Sequence, residues 1–176
     1  MTNRHKIKYM HPLNMLCLWL LATGIIIGCH SATVQHTYHS FPNETWNGQD
    51  TIDFPIEVAD SLADYLLTIE IRNNNHYPYQ DLPLSITCTE GDSLFLRTDT
   101  LSIRLADSNG NWTGNGLGGL YQSGHPAGYL RPRHTGIHHI RMTYLLPDTM
   151  LAGISDIGIR LETNASYHAP HQRAGK

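Results

Sequence analysis

Cys29 is the residue whose surroundings fit a defined chemical modification. It lies in the stretch GIIIGCHS, residues 24 to 31, in which aliphatic side chains and the small Gly28 come directly before the thiol. This order is similar to a bacterial lipobox. A diacylglyceryl group can alkylate the thiol, and a small preceding residue gives a peptidase access to the bond before the cysteine. We therefore expect cleavage after Gly28 and lipidation of Cys29.

The residues before Cys29 have the layout of a secretory signal peptide. Arg4, Lys6 and Lys8 precede an uncharged, apolar run of 16 residues from Leu13 to Gly28. This run is shorter than the roughly 20 residues that cross a bilayer. No Lys or Arg follows it before Arg72, so it lacks a positive stop-transfer flank. A plain signal peptide with an incidental cysteine and an uncleaved anchor helix are the alternatives.

Signatures of catalysis and of metal binding are missing from the sequence. It contains no GxSxG, HExxH or helix-opening GxGxxG motif. Cys88 shares the apolar face of an alternating pattern with Leu84 and Ile86, which favours a core residue over a nucleophile. His138 and His139 are neighbours on a predicted strand, so their side chains point to opposite faces and cannot share one ion. We expect a protein that is not an enzyme and that has no cofactor and no metal site.

Aromatic and basic residues near predicted turns and strand ends form a possible interaction surface. Aromatic rings can pack at the rim of a β-sandwich core, which we favour, or stack on sugars, which would make the chain a carbohydrate-binding module. The segment 108–147 contains no acid, so its arginines either belong to a balanced surface or form a basic patch toward a partner or anionic lipid. The residues are Tyr77, Tyr79, Trp112, Tyr121, Arg131 and Arg133.

Composition limits the class of protein further. Without residues 1–28, 9 Lys and Arg remain against 15 acids, a formal net charge of −6, which argues against binding of nucleic acid. Cys88 is then the only cysteine besides Cys29, so no internal disulfide is possible. The mature length suits one domain.

Alternating apolar and polar residues predict β-strands throughout the mature chain. The inward positions include Leu67, Ile69 and Ile71, and the pattern recurs at Leu84–Cys88, Leu101–Leu105, Ile140–Tyr144 and Ile157–Leu161. Turn-type clusters lie between these runs. The glycine-rich residues 109–121 suit a bulged hairpin or bent strand. We predict an all-β fold, a single antiparallel β-sandwich of immunoglobulin-like or jelly-roll topology.

These elements divide the chain into four parts. We expect a cleaved lipoprotein signal peptide at 1–28, a lipidated N-terminus and tether at 29–43, the β-sandwich domain at 44–163, and a flexible C-terminal tail at 164–176. The tether could pair as an edge strand near its end.

Several sequence blocks together resemble the GldH family, the gliding motility-associated lipoproteins of the Bacteroidetes. They are WNGQDTIDF (46–54), YLLTIEIRNNNHYPYQDLPL (65–84), DTLSIRLADSNGNWTGNGLGGLYQ (99–122) and MLAGISDIGIRLE (150–162), together with the lipobox. The resemblance implies an envelope lipoprotein linked to gliding and its associated secretion apparatus, with no catalytic role and no cofactor. The lipidated cysteine of the family corresponds to Cys29.

The resemblance also bears on location and partners. Lipoproteins of these bacteria that reach the cell surface typically carry acids directly after the lipidated cysteine, whereas this chain has none before Glu44. We therefore expect an outer-membrane lipoprotein that faces the periplasm. Other envelope proteins are its expected partners, and a glycan is a less favoured one.

Overall fold

The structure is a computed structural model that describes residues 33–90 and 94–163. Within these ranges it contains eleven β-strands and one short 3₁₀ turn at Pro42–Glu44. The strands are β1 (Thr33–Ser40), β2 (Thr45–Asn47), β3 (Ile52–Val58), β4 (Tyr65–Asn74), β5 (Asp81–Glu90), β6 (Leu94–Arg104), β7 (Asn115–Leu117), β8 (Leu120–Leu130), β9 (Gly136–Tyr144), β10 (Met150–Ala152) and β11 (Ile154–Thr163).

Two antiparallel sheets form the domain. Sheet 1 has the order β1-β11-β4-β8-β7, and sheet 2 has the order β3-β9-β5-β6. A small third sheet pairs β10 with β2. When the eight long strands are numbered consecutively, the two sheets read 1-8-3-6 and 2-7-4-5, which is the strand order of a jelly roll. The all-β antiparallel sandwich predicted from the sequence is confirmed, and the strand order favours jelly-roll over immunoglobulin-like topology.

The inward positions predicted from alternation build the core between the sheets. Leu67, Ile69 and Ile71 on β4 are buried and lie beside the equally buried Leu161, Ile159 and Ile157 on β11. Cys88 is also buried, so its prediction as a core residue is confirmed. Burial of aliphatic side chains from both sheets is the main driving force for this packing.

The folded domain begins earlier than the predicted boundary at residue 44. β1 pairs with β11 from Thr33 to Ser40, inside the range 29–43 that the sequence assigns to a tether. Its side chains are half-buried or exposed rather than alternately buried. An edge strand that pairs mainly through its backbone needs few apolar side chains, so apolar and polar residues alternate only weakly in its sequence. For this reason the sequence indicates β1 only as a possible edge strand.

The glycine-rich segment forms a hairpin between β7 and β8, as predicted. Gly118 and Gly119 connect the two strands, and both have positive φ, 66° and 88°. Two central residues with positive φ define the turn whose twist matches paired strands, and glycine adopts it without steric cost. The hairpin tip therefore places Leu117 and Leu120 on either side of a tight turn.

The sandwich has two ends with different loops. The proximal end is defined here as the end where β1 begins and β11 ends, and it carries the loops 59–64 and 131–135. The distal end carries the loop 75–80, the segment 105–114 and the β7–β8 hairpin. Strands of about ten residues rise roughly 3.3 Å per residue, so the two ends lie about 30 Å apart.

Candidate interaction surface

The four aromatic residues selected from the sequence lie next to one another at the distal end. The ring centroids of Tyr79 and Tyr77 are 6.0 Å apart, those of Tyr77 and Trp112 are 6.4 Å apart, and those of Trp112 and Tyr121 are 5.7 Å apart. We call these four residues the aromatic row. It joins the loop 75–80 to the β7–β8 hairpin across residues far apart in sequence.

Tyr77 is the buried foundation of the aromatic row. Only 4% of its surface is exposed, and its hydroxyl donates to the carbonyl of Asp81 at 2.9 Å. Burial, helped by the negative charges of Asp81 and Asp148, raises the pKa of this phenol well above its usual range. Tyr77 therefore holds its loop against the core and does not offer a free ring to a ligand.

Trp112 and Tyr121 form the half-buried outer part of the row. The indole Nε1 of Trp112 donates to Oδ1 of Asn75 at 2.9 Å, which ties the segment 105–114 to the loop 75–80. The Tyr121 ring lies over Gly116, where an added Cβ would approach its Cδ1 to 2.3 Å. Glycine at this position thus makes room for the ring.

The ring planes do not favour a sugar-stacking platform. Successive planes in the aromatic row are inclined by 67°, 50° and 35°. A pyranose that stacks on two or more rings needs them to share one flat face. Because Tyr77 is buried and the other rings are tilted, the arrangement supports packing at the rim of the core more than carbohydrate binding.

The aromatic row supports an exposed apolar hairpin tip and an open polar groove. Leu117 is 92% exposed and Leu120 is 40% exposed. The groove runs beside them and is lined by Glu44, Asn74, Asn75, His76, Gly118, Gly119 and Leu120. An apolar tip rimmed by polar groups is typical of a protein contact surface.

Glu44 also lines this groove, and its backbone has an unusual conformation. Its φ is 53°, a left-handed conformation that costs a non-glycine residue energy. The carbonyl of Glu44 accepts the amide of Gly153 at 2.8 Å, and its carboxylate accepts hydrogen bonds from Asn74 and Ser155. These bonds offset the strain and fix a carboxylate beside the hairpin. Sequence reasoning did not select Glu44, because the signal lies in backbone geometry.

The two selected arginines belong to a different surface. Arg131 and Arg133 follow β8 at the proximal end, whereas Tyr121 lies near the start of that strand. Nε of Arg131 lies 3.1 Å from Oδ1 of Asp64, and Arg133 is exposed. The structure therefore brings four of the six selected residues together and places the other two at the opposite end.

A polar cluster on the outer face of sheet 1 was not expected from the sequence. Glu70, predicted to point outward on β4, is only 6% exposed. Its carboxylate accepts a hydrogen bond from the Tyr38 hydroxyl, lies 3.0 Å from His36 Nε2 and accepts Arg160 Nε at 2.9 Å. Because Tyr38 and His36 belong to β1, this cluster, which we call the Glu70 cluster, fastens β1 to the sheet.

Burial and hydrogen bonding act in opposite directions in this cluster. Burial raises the pKa of Glu70, but hydrogen bonds from Tyr38, Arg160 and His36 outweigh it, so the pKa lies below its usual value. Burial and the hydrogen bond to Glu70 raise the pKa of Tyr38 to about 12. At neutral pH the carboxylate is therefore charged and the phenol is protonated, which is the pairing that their hydrogen bond requires.

The histidines lie as the strand geometry predicts. His138 is buried with its Nε2 3.0 Å from the carbonyl of His134, while the Nδ1 of His139 lies 2.8 Å from Asp53 on the other face. In residues 33–90 and 94–163, no group of three or more His, Cys, Asp or Glu side chains is arranged to hold a metal ion.

Over the same described ranges, no helix has the length and apolarity needed to cross a membrane. Cys29, the predicted lipidation site, lies outside the described residues.

The described residues form a jelly-roll-type domain, and the sequence before them resembles a lipoprotein signal. The GldH lipoprotein family profile matches residues 33–161, nearly the whole described domain. The chain belongs to the GldH lipoprotein family. It is thus a non-enzymatic, membrane-anchored lipoprotein of the cell envelope and a homologue of the gliding motility lipoprotein GldH.

Two relatives support this assignment. The chain is 28% identical over 152 residues to the gliding motility lipoprotein GldH of Flavobacterium johnsoniae, covering 81% of this chain and 92% of the relative. It is 33% identical over 108 residues to a GldH homologue of Christiangramia forsetii, covering 60% of this chain and 64% of the relative. Among solved structures, the VP2 subviral particle of infectious bursal disease virus matches with a TM-score of 0.34 and 10% identity, over 77% of this chain and 34% of that protein. A likeness at that level carries no functional argument.

Proposed function

We propose that this protein is an outer-membrane lipoprotein, anchored by lipid on Cys29 and facing the periplasm, that takes part in an envelope assembly linked to gliding motility. The observation that carries the proposed role is the distal hairpin tip. Leu117 is 92% exposed at the tip of a hairpin in which the Tyr121 ring of the aromatic row lies over Gly116, beside a groove lined partly by the loop 75–80. A fixed apolar tip of this kind suits docking to another envelope protein.

Lipidation is tested by substitution of the cysteine. Cys29→Ala should abolish incorporation of labelled palmitate and release the protein from the membrane fraction. The matched control is Cys88→Ala, which removes the other mature thiol from a buried position and should leave labelling intact. If Cys29→Ala remains membrane-bound with its leader attached, the protein is instead anchored by an uncleaved helix.

Location is tested by fractionation and protease shaving. The absence of acids between Cys29 and Glu44 supports a periplasmic orientation. The protein should fractionate with the outer membrane, and protease added to intact cells should leave it uncut until the outer membrane is permeabilised. Digestion of the protein on intact cells would show that it faces outward.

The proposed docking surface is tested by photocrosslinking in the native host. A photoreactive amino acid at Leu117 should give a discrete adduct with an envelope protein. The same amino acid at Ser102, an exposed position on β6, the edge strand of sheet 2, should give none. Leu117→Asp introduced beside a photoreactive residue at Leu120 should abolish the adduct. Equal adducts from positions 117 and 102 would contradict a specific docking site at the hairpin.

A further inference from the structure

We propose that the proximal end of the sandwich is a second contact surface, which rests on the phospholipid surface that holds the anchor. The surface consists of Leu62, Tyr129, Arg131, Arg133 and Ile137. Its occupant is a phospholipid headgroup layer. The inference rests on the proposed lipidation of Cys29 and adds to it a defined orientation, in which the aromatic row and the hairpin point away from the membrane.

Chain length restricts which end can approach the membrane. β1 begins at Thr33, four residues after Cys29. Four extended residues span at most about 14 Å. Thr33 pairs with Glu162 at the end of β11, and the loops 59–64 and 131–135 flank this corner. The distal loops lie about 30 Å further along the strands, beyond the reach of the linking segment.

The loop 59–64 exposes an apolar side chain on a fixed backbone. Leu62 is 90% exposed, although its amide donates to Oδ1 of Asp60 at 2.8 Å. The hydroxyl of the buried Tyr65 donates to the carbonyl of Asp60 at 2.8 Å and accepts its amide at 3.2 Å. Because hydrogen bonds attach this loop to the core, the backbone holds the side chain of Leu62 in an exposed position. A leucine held out in this way can enter the boundary between headgroups and acyl chains.

The neighbouring side chains have the chemistry of a membrane interface. Tyr129 is 44% exposed and Ile137 is 51% exposed, and they lie on the outer faces of sheets 1 and 2 near the same end. Tyrosine favours such boundaries because it combines an apolar ring with a polar tip. Arginine binds phosphate groups through several donors at once.

Several of the described acids at this end have partners within the domain, whereas Glu57, which pairs in register with Ile137, is exposed on β3. Asp64 pairs with Arg131, Asp60 caps the turn at Leu62, and Glu162 lies 2.6 Å from Arg160. Arg133 is exposed at the same end. A weak contact is sufficient here, since the anchor keeps the surface at a high local concentration near the bilayer.

Leu62 and Leu117 provide a matched pair for the test, because they are 90% and 92% exposed at opposite ends. Leu62→Cys and Leu117→Cys are made in the full lipidated protein and labelled with the same fluorophore. Each protein is reconstituted into phosphatidylcholine vesicles, with and without phosphatidylglycerol. Quenching by headgroup-spin-labelled lipid and by aqueous iodide is then measured. The parent protein, in which Cys88 is buried, gives the labelling background.

The label at position 62 should be quenched several-fold more by the spin-labelled lipid than the label at position 117, and iodide should show the reverse order. Equal quenching at both positions, or stronger lipid quenching at position 117, overturns the proposed orientation. Vesicle flotation separates this outcome from a failure of the proposed anchoring. A protein that floats without quenching at position 62 overturns only the orientation, whereas a lipid-free protein that does not float overturns both proposals.

The role of the arginine is tested in the same assay. Arg133→Gln should reduce lipid quenching at position 62 in both kinds of vesicle if it binds the phosphate that all these lipids share. A reduction confined to vesicles with phosphatidylglycerol assigns the contact to net surface charge and overturns specific phosphate binding. Arg104→Gln at the distal end is the control and should change nothing. Unchanged quenching for Arg133→Gln would remove this guanidinium from the contact.

Discussion

The ring of Tyr38 lies against the bare backbone of Gly158 on the neighbouring strand. The two residues are paired in register between β1 and β11, and a Cβ placed on Gly158 would lie 2.5 Å from Cδ1 of Tyr38 and 2.8 Å from the carbonyl oxygen of Thr37. The guanidinium of Arg72 sits over the ring, 4.1 Å from its centroid. This flat position of the ring lets the Tyr38 hydroxyl reach Glu70.

Gly158→Ala should therefore destabilise the domain. The added methyl would displace Tyr38 and weaken the bond to Glu70, and we expect a loss of about 1–3 kcal/mol in the free energy of unfolding, measured by urea denaturation. Gly124→Ala is the matched control, since Gly124 pairs with Glu70 on its other side. A Cβ there meets its nearest atoms at 3.5 and 3.8 Å, which is ordinary contact. Equal effects of the two substitutions would contradict a special role for Gly158.

Glu70→Gln should change how stability depends on pH. Because the pKa of Glu70 lies below its usual value of 4.5 in the folded state, its ionised form stabilises the fold above that pH. This stabilisation is lost as the pH falls through the lower, folded-state pKa. We expect Glu70→Gln to cost about 1–3 kcal/mol at neutral pH and to flatten the acid side of the stability curve.

Urea denaturation from pH 7 down to pH 2 measures this effect. Asp53→Asn is a suitable control, because that carboxylate lies on an exposed surface beside His139 and Arg141. Its profile should stay close to that of the unmodified protein. A Glu70→Gln profile that runs parallel to the parent profile would mean that the ionisation of Glu70 does not stabilise the domain.

Gly153→Ala should be more damaging than a typical Gly→Ala substitution. Gly153 has a φ of 84°, and an added Cβ would lie 2.1 Å from the amide nitrogen of Tyr77. Strain and collision together should cost about 3 kcal/mol or more. Gly110→Ala separates the two causes, because Gly110 has a φ of 82° with nothing within 4 Å of the added Cβ. It should lose only about 1–2 kcal/mol from backbone strain.

The hydrogen bond between Trp112 and Asn75 should couple the two distal segments. We expect a double-mutant cycle of Trp112→Phe and Asn75→Ala to give a coupling free energy of about 0.5–1.5 kcal/mol. Asn75→Ala should also make the half-buried Trp112 more accessible to acrylamide, while the fluorescence contribution of the fully buried Trp46 stays constant. Strictly additive effects on stability would show that the observed contact does not link the segments energetically.

The core of this fold could be predicted from the sequence because one face of each central strand is apolar. Ile157, Ile159 and Leu161 alternate with polar residues or glycine, and this period alone places them inward. The order of the strands cannot be predicted from such alternation, because it depends on pairing between segments that are distant in sequence. The jelly-roll arrangement therefore appears only when β1 is seen beside β11.

The arrangement of the candidate surface residues could be predicted in part. Turn position selected Trp112 and Tyr121, which lie together in the structure, whereas nearness in sequence also grouped them with Arg131, at the other end of β8. The Glu70 cluster was missed because its members are remote in sequence. Tyr38 and Arg160 are 32 and 90 positions away from Glu70. The alternation of apolar and polar residues within one strand does not indicate contacts over such distances in sequence.

The position of β1 has a mechanical consequence. A load applied between the lipid anchor and a partner at the distal hairpin would enter the domain at Thr33 and run along the strands. The hydrogen bonds of β1 to β11 are perpendicular to that direction, so the paired positions from Thr33 to Ser40 would resist together in shear and not open one after another. The hydrogen bond from Tyr38 on β1 to Glu70 on β4 adds a side-chain contact that holds β1 to the sheet. With the proposed anchor and the proposed distal contact, the domain would keep its first strand while tension passes from the membrane to the partner.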